Sequence, residues 1–361
     1  MPVGKDSSFG LDNRALRAVW TVFLFGLLLA IIYYIRGVIL LFAGAIFLAY
    51  MLSPIVTIIE RFFVGRRRNL ALAIVYVLLI GAITAIGFKL IPTITDEATS
   101  LARHLPGMVT GGGLAKIPLP AFLEPMREKV ISILNTEAVH LQASVVPFLQ
   151  EAGPRILSGL GAAVPVILIP ILAFFFLKDA RSIRNAVLDT IDGRRDRTLL
   201  DRILSDIHSL LRNYIRALVL LSIASFIAWV VFLGLMGYSY EFLLAGLAAV
   251  CEFIPVIGPA AAGVVMLLVV AITSSGSLLG IVIFWTCFRV FQDYVLNPYL
   301  MSSGVELHPL LVLFGVLAGD AIGGIPGMFF AIPIIAILRV VLQRVREARE
   351  SRARVETSTA A

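Results

Sequence analysis

The residues best placed to do chemistry in this chain are charges and amides set inside long apolar stretches. Glu252 lies in the stretch 242–272, Arg289, Gln292, Asp293 and Asn297 follow one another along 278–298, and Asp320 lies in 309–341. A charge at the centre of a membrane helix costs roughly 2.5–3.5 kcal/mol, against about 0.5 kcal/mol recovered per Leu or Ile. Such residues persist where they pair, titrate or carry an ion. Arg289 and Asp293 are four apart and share a helical face, so an ion pair offsets part of their cost. The pair reads either as a buried brace or as part of a substrate or ion path. Glu252 and Asp320 have no cation at helical spacing, which makes them the candidates for titration or cation binding, unless each sits at a wetted hairpin edge. Cys251 and Cys287 both lie in apolar stretches and read as packing residues, so neither a disulfide framework nor a thiolate metal site is expected. No catalytic residue, metal or cofactor is assigned.

The two stretches that hold Glu252 and Asp320 are too long to cross a bilayer once. As continuous helices 242–272 and 309–341 would run about 46–50 Å, against a hydrocarbon core of roughly 30 Å. The first is interrupted by Ile254-Pro255-Val256-Ile257-Gly258-Pro259 and the second by Gly323-Gly324-Ile325-Pro326-Gly327. Proline removes a backbone donor and glycine permits tight turns. Each stretch therefore reads as a re-entrant helical hairpin with arms of about 12–14 residues, a kinked full span being the alternative. Non-helical backbone at membrane depth needs protein or a water-filled cavity around it. The tips, with Pro255, Gly258 and Pro259 in one and Gly323, Gly324 and Pro326 in the other, are thus expected to line a path together with the polar residues. Paired Gly/Pro-broken segments also point to the substrate site of a transporter. Hairpins entering from opposite sides would suit alternating access. Gly315, Gly319, Gly323 and Gly327 recur every four residues and form a small-residue face, either a static seam or a sliding surface.

The elements that must position these residues follow from composition. Of 361 residues 59% are apolar and 15% charged, against about 25% charged in soluble domains. Together with a mean hydropathy of +0.97 this makes the chain an all-α polytopic membrane protein. Eight apolar blocks run at 18–35, 37–55, 70–91, 156–177, 214–236, 242–272, 278–298 and 309–341. The net charge of +7 resides largely in Arg clusters beside these blocks, which orient a membrane protein, and implies no nucleic-acid partner. Arg61 and Arg66 to Arg68 after the second block, and the Arg-rich residues 342–361, are expected in the cytoplasm. Residues 178–216 hold nine Lys or Arg against six Asp and read as cytoplasmic; residues 93–155 hold five against six acids and read as external. Both termini are then expected in the cytoplasm, with the chain spanning a cell (inner) membrane.

Four regions result: N-terminal spans in 1–92, an external amphipathic helical segment in 93–155, a transport core in 156–341, and a basic tail in 342–361. Within the segment 93–155, Leu123 to Leu134 and Leu141 to Leu149 carry helical periodicity around a Gly111–Gly113 linker. Within the core, 182–213 is expected as a cytoplasmic amphipathic helix, since Leu199, Leu200, Ile203, Leu204, Ile207, Leu210, Leu211 and Tyr214 form one stripe. It would lie on the membrane surface or on a neighbouring subunit.

The ordered motifs resemble the autoinducer-2 exporter family of membrane transporters over nearly all of the chain. They are Tyr50-Met51-Leu52-Ser53-Pro54, Pro170 with Phe174-Phe175-Phe176-Leu177-Lys178-Asp179, the Pro255–Pro259 tip, Gln292-Asp293-Tyr294-Val295-Leu296-Asn297-Pro298, Leu307-His308-Pro309 and Gly327-Met328-Phe329-Phe330-Ala331-Ile332-Pro333. The resemblance implies a secondary transporter, a homo-oligomer, moving a small polar solute, signalling molecule or cation. With no ATPase motif, the leading reading is export of such a solute by alternating access. A sodium/proton antiporter using Glu252, Asp293 and Asp320 is the alternative. An intramembrane aspartyl protease built on Asp293 and Asp320 lacks the Gly-x-Gly-Asp pattern, since Leu317-Ala318-Gly319 precedes Asp320. A non-transporting scaffold would tolerate loss of all three carboxylates.

Overall fold

The computed structural model describes residues 13–63, 68–110, 160–254, 257–273, 277–300 and 307–359. Ten α-helices and one π-helical turn carry these residues, and no strand occurs among them. The helices are α1 (Asn13–Tyr34), α2 (Arg36–Phe62), α3 (Arg68–Thr110), α4 (Leu160–Asp189), α5 (Arg194–Met236), α6 (Glu241–Cys251), α7 (Ile257–Thr273), α8 (Leu278–Phe291), α9 (Asn297–Leu300) and α10 (Pro309–Thr359). The π turn, Gln292–Leu296, joins α8 to α9 without a break. Among the described residues five stretches are, by length and composition, long and apolar enough to cross a membrane: α2, the first part of α3, α5, the run from α8 through α9, and most of α10. The protein is an all-α multi-pass membrane protein. Its outer surface agrees, since Val77, Phe88 and Leu310 stand exposed where lipid rather than water would meet them.

Two buried clusters organise the body. Ala49, Leu52 and Val56 of α2 meet Ala71, Leu72 and Val75 of α3 and Ala173 and Leu177 of α4. The Arg68 guanidinium donates to the Leu177 carbonyl, and Tyr76 Oη donates to the Pro170 carbonyl at 2.8 Å, tying α3 to α4 at two levels. The second cluster gathers Trp229 and Leu233 of α5, Leu244 and Ala248 of α6, Met266 and Val270 of α7, and Ile281 of α8. Each cluster sets alanines among larger side chains, Ala49, Ala71 and Ala173 in the first and Ala245, Ala248 and Ala262 in the second, and there the backbones can approach closely.

Both interrupted blocks turn back on themselves. Helices α6 and α7 have 11 and 17 residues, reaching about 16 and 25 Å, and they pack on one another and on α3. Neither arm crosses a bilayer alone, so the block is a hairpin rather than a kinked span. Within α10 the chain reverses at Gly324, with φ 59° and ψ −144°, a conformation that a side chain would strain. Beyond it a side chain on Gly319 would strike the Gly327 carbonyl, and one on Gly315 would strike Ile335. Gly315, Gly319 and Gly327 therefore lie in the seam between the two limbs of this hairpin. Gly323 instead faces Leu40 of α2.

Several boundaries differ from those expected. Helix α3 continues to Thr110, so the first part of 93–155 extends the third block. The rest of that segment, including both amphipathic stripes and the glycine linker, lies outside the described residues, as do Arg66 and Arg67. Residues 182–213 are not one helix: α4 carries them to Asp189, and α5 begins at Arg194 after Gly193 in an extended conformation. Asp192-Gly193 breaks the periodicity, and the corner is held by Arg197 to Asp189 at 2.6 Å and Arg184 to Asp201 at 2.7 Å. From Arg194 the stripe and the fifth block form one helix of 43 residues. Its Ile203, Leu211 and Ile215 are buried within the same chain, where α5 packs on α2, α4 and α10, so part of the stripe already has its cover. Residues 342–359 continue α10 as helix. Cys251 is half-buried but Cys287 is exposed, so the latter does not pack in the interior.

Candidate functional site

The first hairpin ends where α6 runs out at Cys251, and Glu252 occupies the C-cap with helical φ and ψ. A side chain on Gly258 would strike the Cys251 carbonyl, so the turn closes tightly. Glu252 is thereby held inside the protein at 8% exposure. Opposite it stands the π turn of the seventh block. An i to i+5 turn inserts an extra residue into the helix, and such bulges are frequent at functional sites. Here the Asn297 N–H donates to the Gln292 carbonyl, and Gln292 itself is buried at 2% exposure.

The bulge and the tip are joined by a chain of polar contacts. Gln292 Nε2 donates to Glu252 Oε2 at 2.8 Å, and Arg289 Nη1 donates to Gln292 Oε1 at 3.3 Å. Arg289 Nε and Asp293 Oδ2 are 3.1 Å apart, the ion pair that the i, i+4 spacing predicts. Asn297 Nδ2 donates to Asp293 Oδ1 at 3.1 Å. Five of the predicted site residues thus form one array, and the only carboxylate in it without a direct ion pair is Glu252.

Beside Glu252 lies a narrow pocket, partly open to the surroundings. Pro259, Arg289 and Gln292 line it, and so do Ser225 and Trp229 of α5 and Trp285 and Phe288 of α8. The Trp285 ring lies against α7 because position 263 is glycine: a Cβ there would come within 2.6 Å of Trp285 Cε2. Polar residues converging in a cavity walled by aromatic rings are the usual form of a small-molecule site.

The second hairpin does not bring its own charge here. Asp320 is exposed and is absent from the pocket wall; Gly323, Gly324 and Pro326 shape the turn of α10. The pairing of Glu252 with Asp320 as equivalent candidates is therefore not reproduced in space. Pro255 lies outside the described residues. What joins the two hairpins is aromatic. Phe253, next to Glu252, lies 5.5 Å from Phe329 of α10 between ring centroids, and Phe47 of α2 lies 6.1 Å from Phe253 and 4.8 Å from Phe329.

Sequence reasoning missed Ser225, Trp229, Trp285 and the Phe47–Phe253–Phe329 group. All but Ser225 are apolar residues in apolar blocks, with nothing local to set them apart. The signals available were the position of Phe253 beside the broken tip and that of Phe329 within the Gly327–Pro333 motif. A second overlooked residue is Glu97: its carboxylate accepts from the Leu243 N–H at 2.8 Å, so α3 caps the first turn of α6 and roots the hairpin.

Comparison with known proteins is consistent with this architecture. The family model described as AI-2E family transporter matches residues 21–347. The chain is 31% identical over 338 residues to the Escherichia coli (strain K12) protein named "Putative permease PerM", covering 86% of this chain and 88% of that one. It is 25% identical over 304 residues to "Putative transport protein YrrI" of Bacillus subtilis (strain 168), covering 82% and 84%. A "Putative transport protein" of Methanothermobacter thermautotrophicus is 23% identical over 316 residues, covering 85% and 88%. With a match across most of its length and a relative above 30% identity, the chain belongs to the AI-2E transporter family.

Proposed function

We propose that this membrane transporter moves a small polar solute or cation by alternating access, using the Glu252 pocket as its central site. The observation that carries the reading is the Gln292–Glu252 contact. It couples the tip of one hairpin to a bulge in a spanning helix, directly beside the aromatic contact with the second hairpin. A tip that rocks must exchange these contacts, and the pocket then changes the side on which it opens. On the charge distribution, both termini face the cytoplasm of a cell membrane; that the hairpins enter from opposite sides, and that an organic solute such as a signalling molecule moves outward, is the reading the family membership suggests. The broad apolar exterior suits a homo-oligomer in the bilayer.

The sodium/proton antiporter reading rests on the same residues, Glu252 and Asp293, since each carboxylate could exchange a proton for a cation. Liposomes holding the protein and a pH dye separate the two readings. Proton movement on addition of sodium, lost in Glu252→Gln or Asp293→Asn and kept in Asp320→Asn, would establish exchange. Absence of sodium-driven movement, with efflux of a loaded organic solute lost in Glu252→Gln, would establish solute export. Absence of both in folded protein would overturn transport through this site.

A further inference from the structure

The charges around the Glu252 pocket do not cancel. Arg289 and Asp293 neutralise one another at 3.1 Å, while Glu252 meets neutral groups, the Gln292 amide at 2.8 Å and the Ser225 hydroxyl beside it. Arg289 also borders the pocket, but its guanidinium is engaged by Asp293 and Gln292. With Glu252 ionised the pocket holds one net negative charge in a largely apolar setting, a setting that favours a cation. A second observation points to a ligand. Ser225 is 1% exposed and lines the same pocket with its hydroxyl beside Glu252, in no well-formed hydrogen bond among the described residues. Buried hydroxyls are normally paired, so this one has unused capacity aimed at whatever occupies the pocket.

The wall chemistry narrows the cation. Hard divalent cations take six or more oxygens. The pocket's side chains offer the Glu252 carboxylate, Ser225 Oγ and a Gln292 oxygen already accepting from Arg289. Among the described residues no group of three or more His, Cys, Asp or Glu could hold a metal ion. Trp229, Trp285 and Phe288 supply aromatic surface instead, and the negative faces of aromatic rings attract organic cations, ammonium ions included. An ammonium head can donate to Glu252 and Ser225 while its carbon chain lies on the rings.

We propose that the Glu252 pocket binds a small organic ammonium ion, a primary alkylamine in its protonated form. The proposal rests on the transport reading above and names the substrate class for that site.

The test is equilibrium binding of radiolabelled methylammonium to the full chain in lipid nanodiscs, which requires no transport. The expected result is saturable binding, displaced by ethylammonium at lower concentration than by sodium. Affinity should fall at least tenfold in Glu252→Gln and several-fold in Trp285→Leu, with both variants checked for an unchanged elution profile. If Glu252→Gln does not fold, Glu252→Asp and the wild-type competition series carry the test. No saturable binding to wild type, displacement by sodium as readily as by ethylammonium, or affinity unchanged in the Glu252 and Trp285 variants would each overturn the proposal. Its failure is distinct from failure of the transport reading: ammonium binding without flux in liposomes removes transport alone, and flux of another solute without ammonium binding removes this proposal alone.

Discussion

Gln292 and Glu252 are 40 residues apart in the chain and 2.8 Å apart in space, with the amide nitrogen donating to the carboxylate. Because the acceptor is charged and both residues are buried, the bond is stronger than a neutral one and costly to leave unmade. It is also the place where the first hairpin grips a spanning helix. Stability and the resting position of the tip therefore depend on the same contact.

Replacing Gln292 with leucine removes the donor and leaves Glu252 buried without it. The expected loss is about 1–3 kcal/mol. Gln292→Glu should cost more at neutral pH, since it sets a like charge beside Glu252. Thermal unfolding of the purified variants in one detergent checks the order: wild type, then the leucine variant, then the glutamate variant.

The reversal at Gly324 has φ 59° and ψ −144°, so Gly324→Ala should destabilise the second hairpin by about 1–3 kcal/mol. Gly319→Val acts differently, by forcing a side chain into the Gly327 backbone. Both should lower Tm, and the valine variant should also part the limbs. Hydrogen exchange over residues 327–340 should then be faster in the valine variant than in Gly324→Ala.

Phe329 packs against Phe253, two residues from Cys251. Truncating Phe329 to alanine should loosen the tip and expose the Cys251 thiol. In a Cys287→Ser background, the maleimide labelling rate of Cys251 should rise several-fold over that of the parent. An unchanged rate would mean that the aromatic contact does not hold the tip closed.

Glu97 caps α6 from another helix, and Tyr240, at the start of α6, provides no side-chain cap. Glu97→Ala should free the Leu243 N–H and speed its hydrogen exchange about tenfold, equivalent to about 1.4 kcal/mol of local opening. Glu97→Gln keeps an acceptor oxygen and should lie between the two. Peptide-level exchange over 238–251 reports the difference.

Much of the scaffold could be read from local pattern. Long apolar blocks, the Arg clusters beside them and the Gly/Pro breaks in 242–272 and 309–341 each reflect a constraint that the bilayer places on a short run of residues. The Arg289–Asp293 pair belongs to the same class, because a helix places i and i+4 together whatever surrounds it. The break at Gly193 and the extension of α3 to Thr110 were less legible, since polar residues between blocks continue a helix or end it on small differences in propensity.

The sequence by itself determined the class of protein, the two broken segments and the polar residues that must be sheltered, because lipid imposes its cost residue by residue. Only the tertiary structure decided which of those residues meet. It joined Glu252 to Gln292 through a π turn that no local pattern announces, left Asp320 outside, and walled the pocket with Ser225, Trp229 and Trp285. The physical reason is that an apolar ring costs the same in lipid as against another helix. Its part in a site is set by which helices pack together and how closely, and here that rests on Gly263 and on the glycine seam of α10.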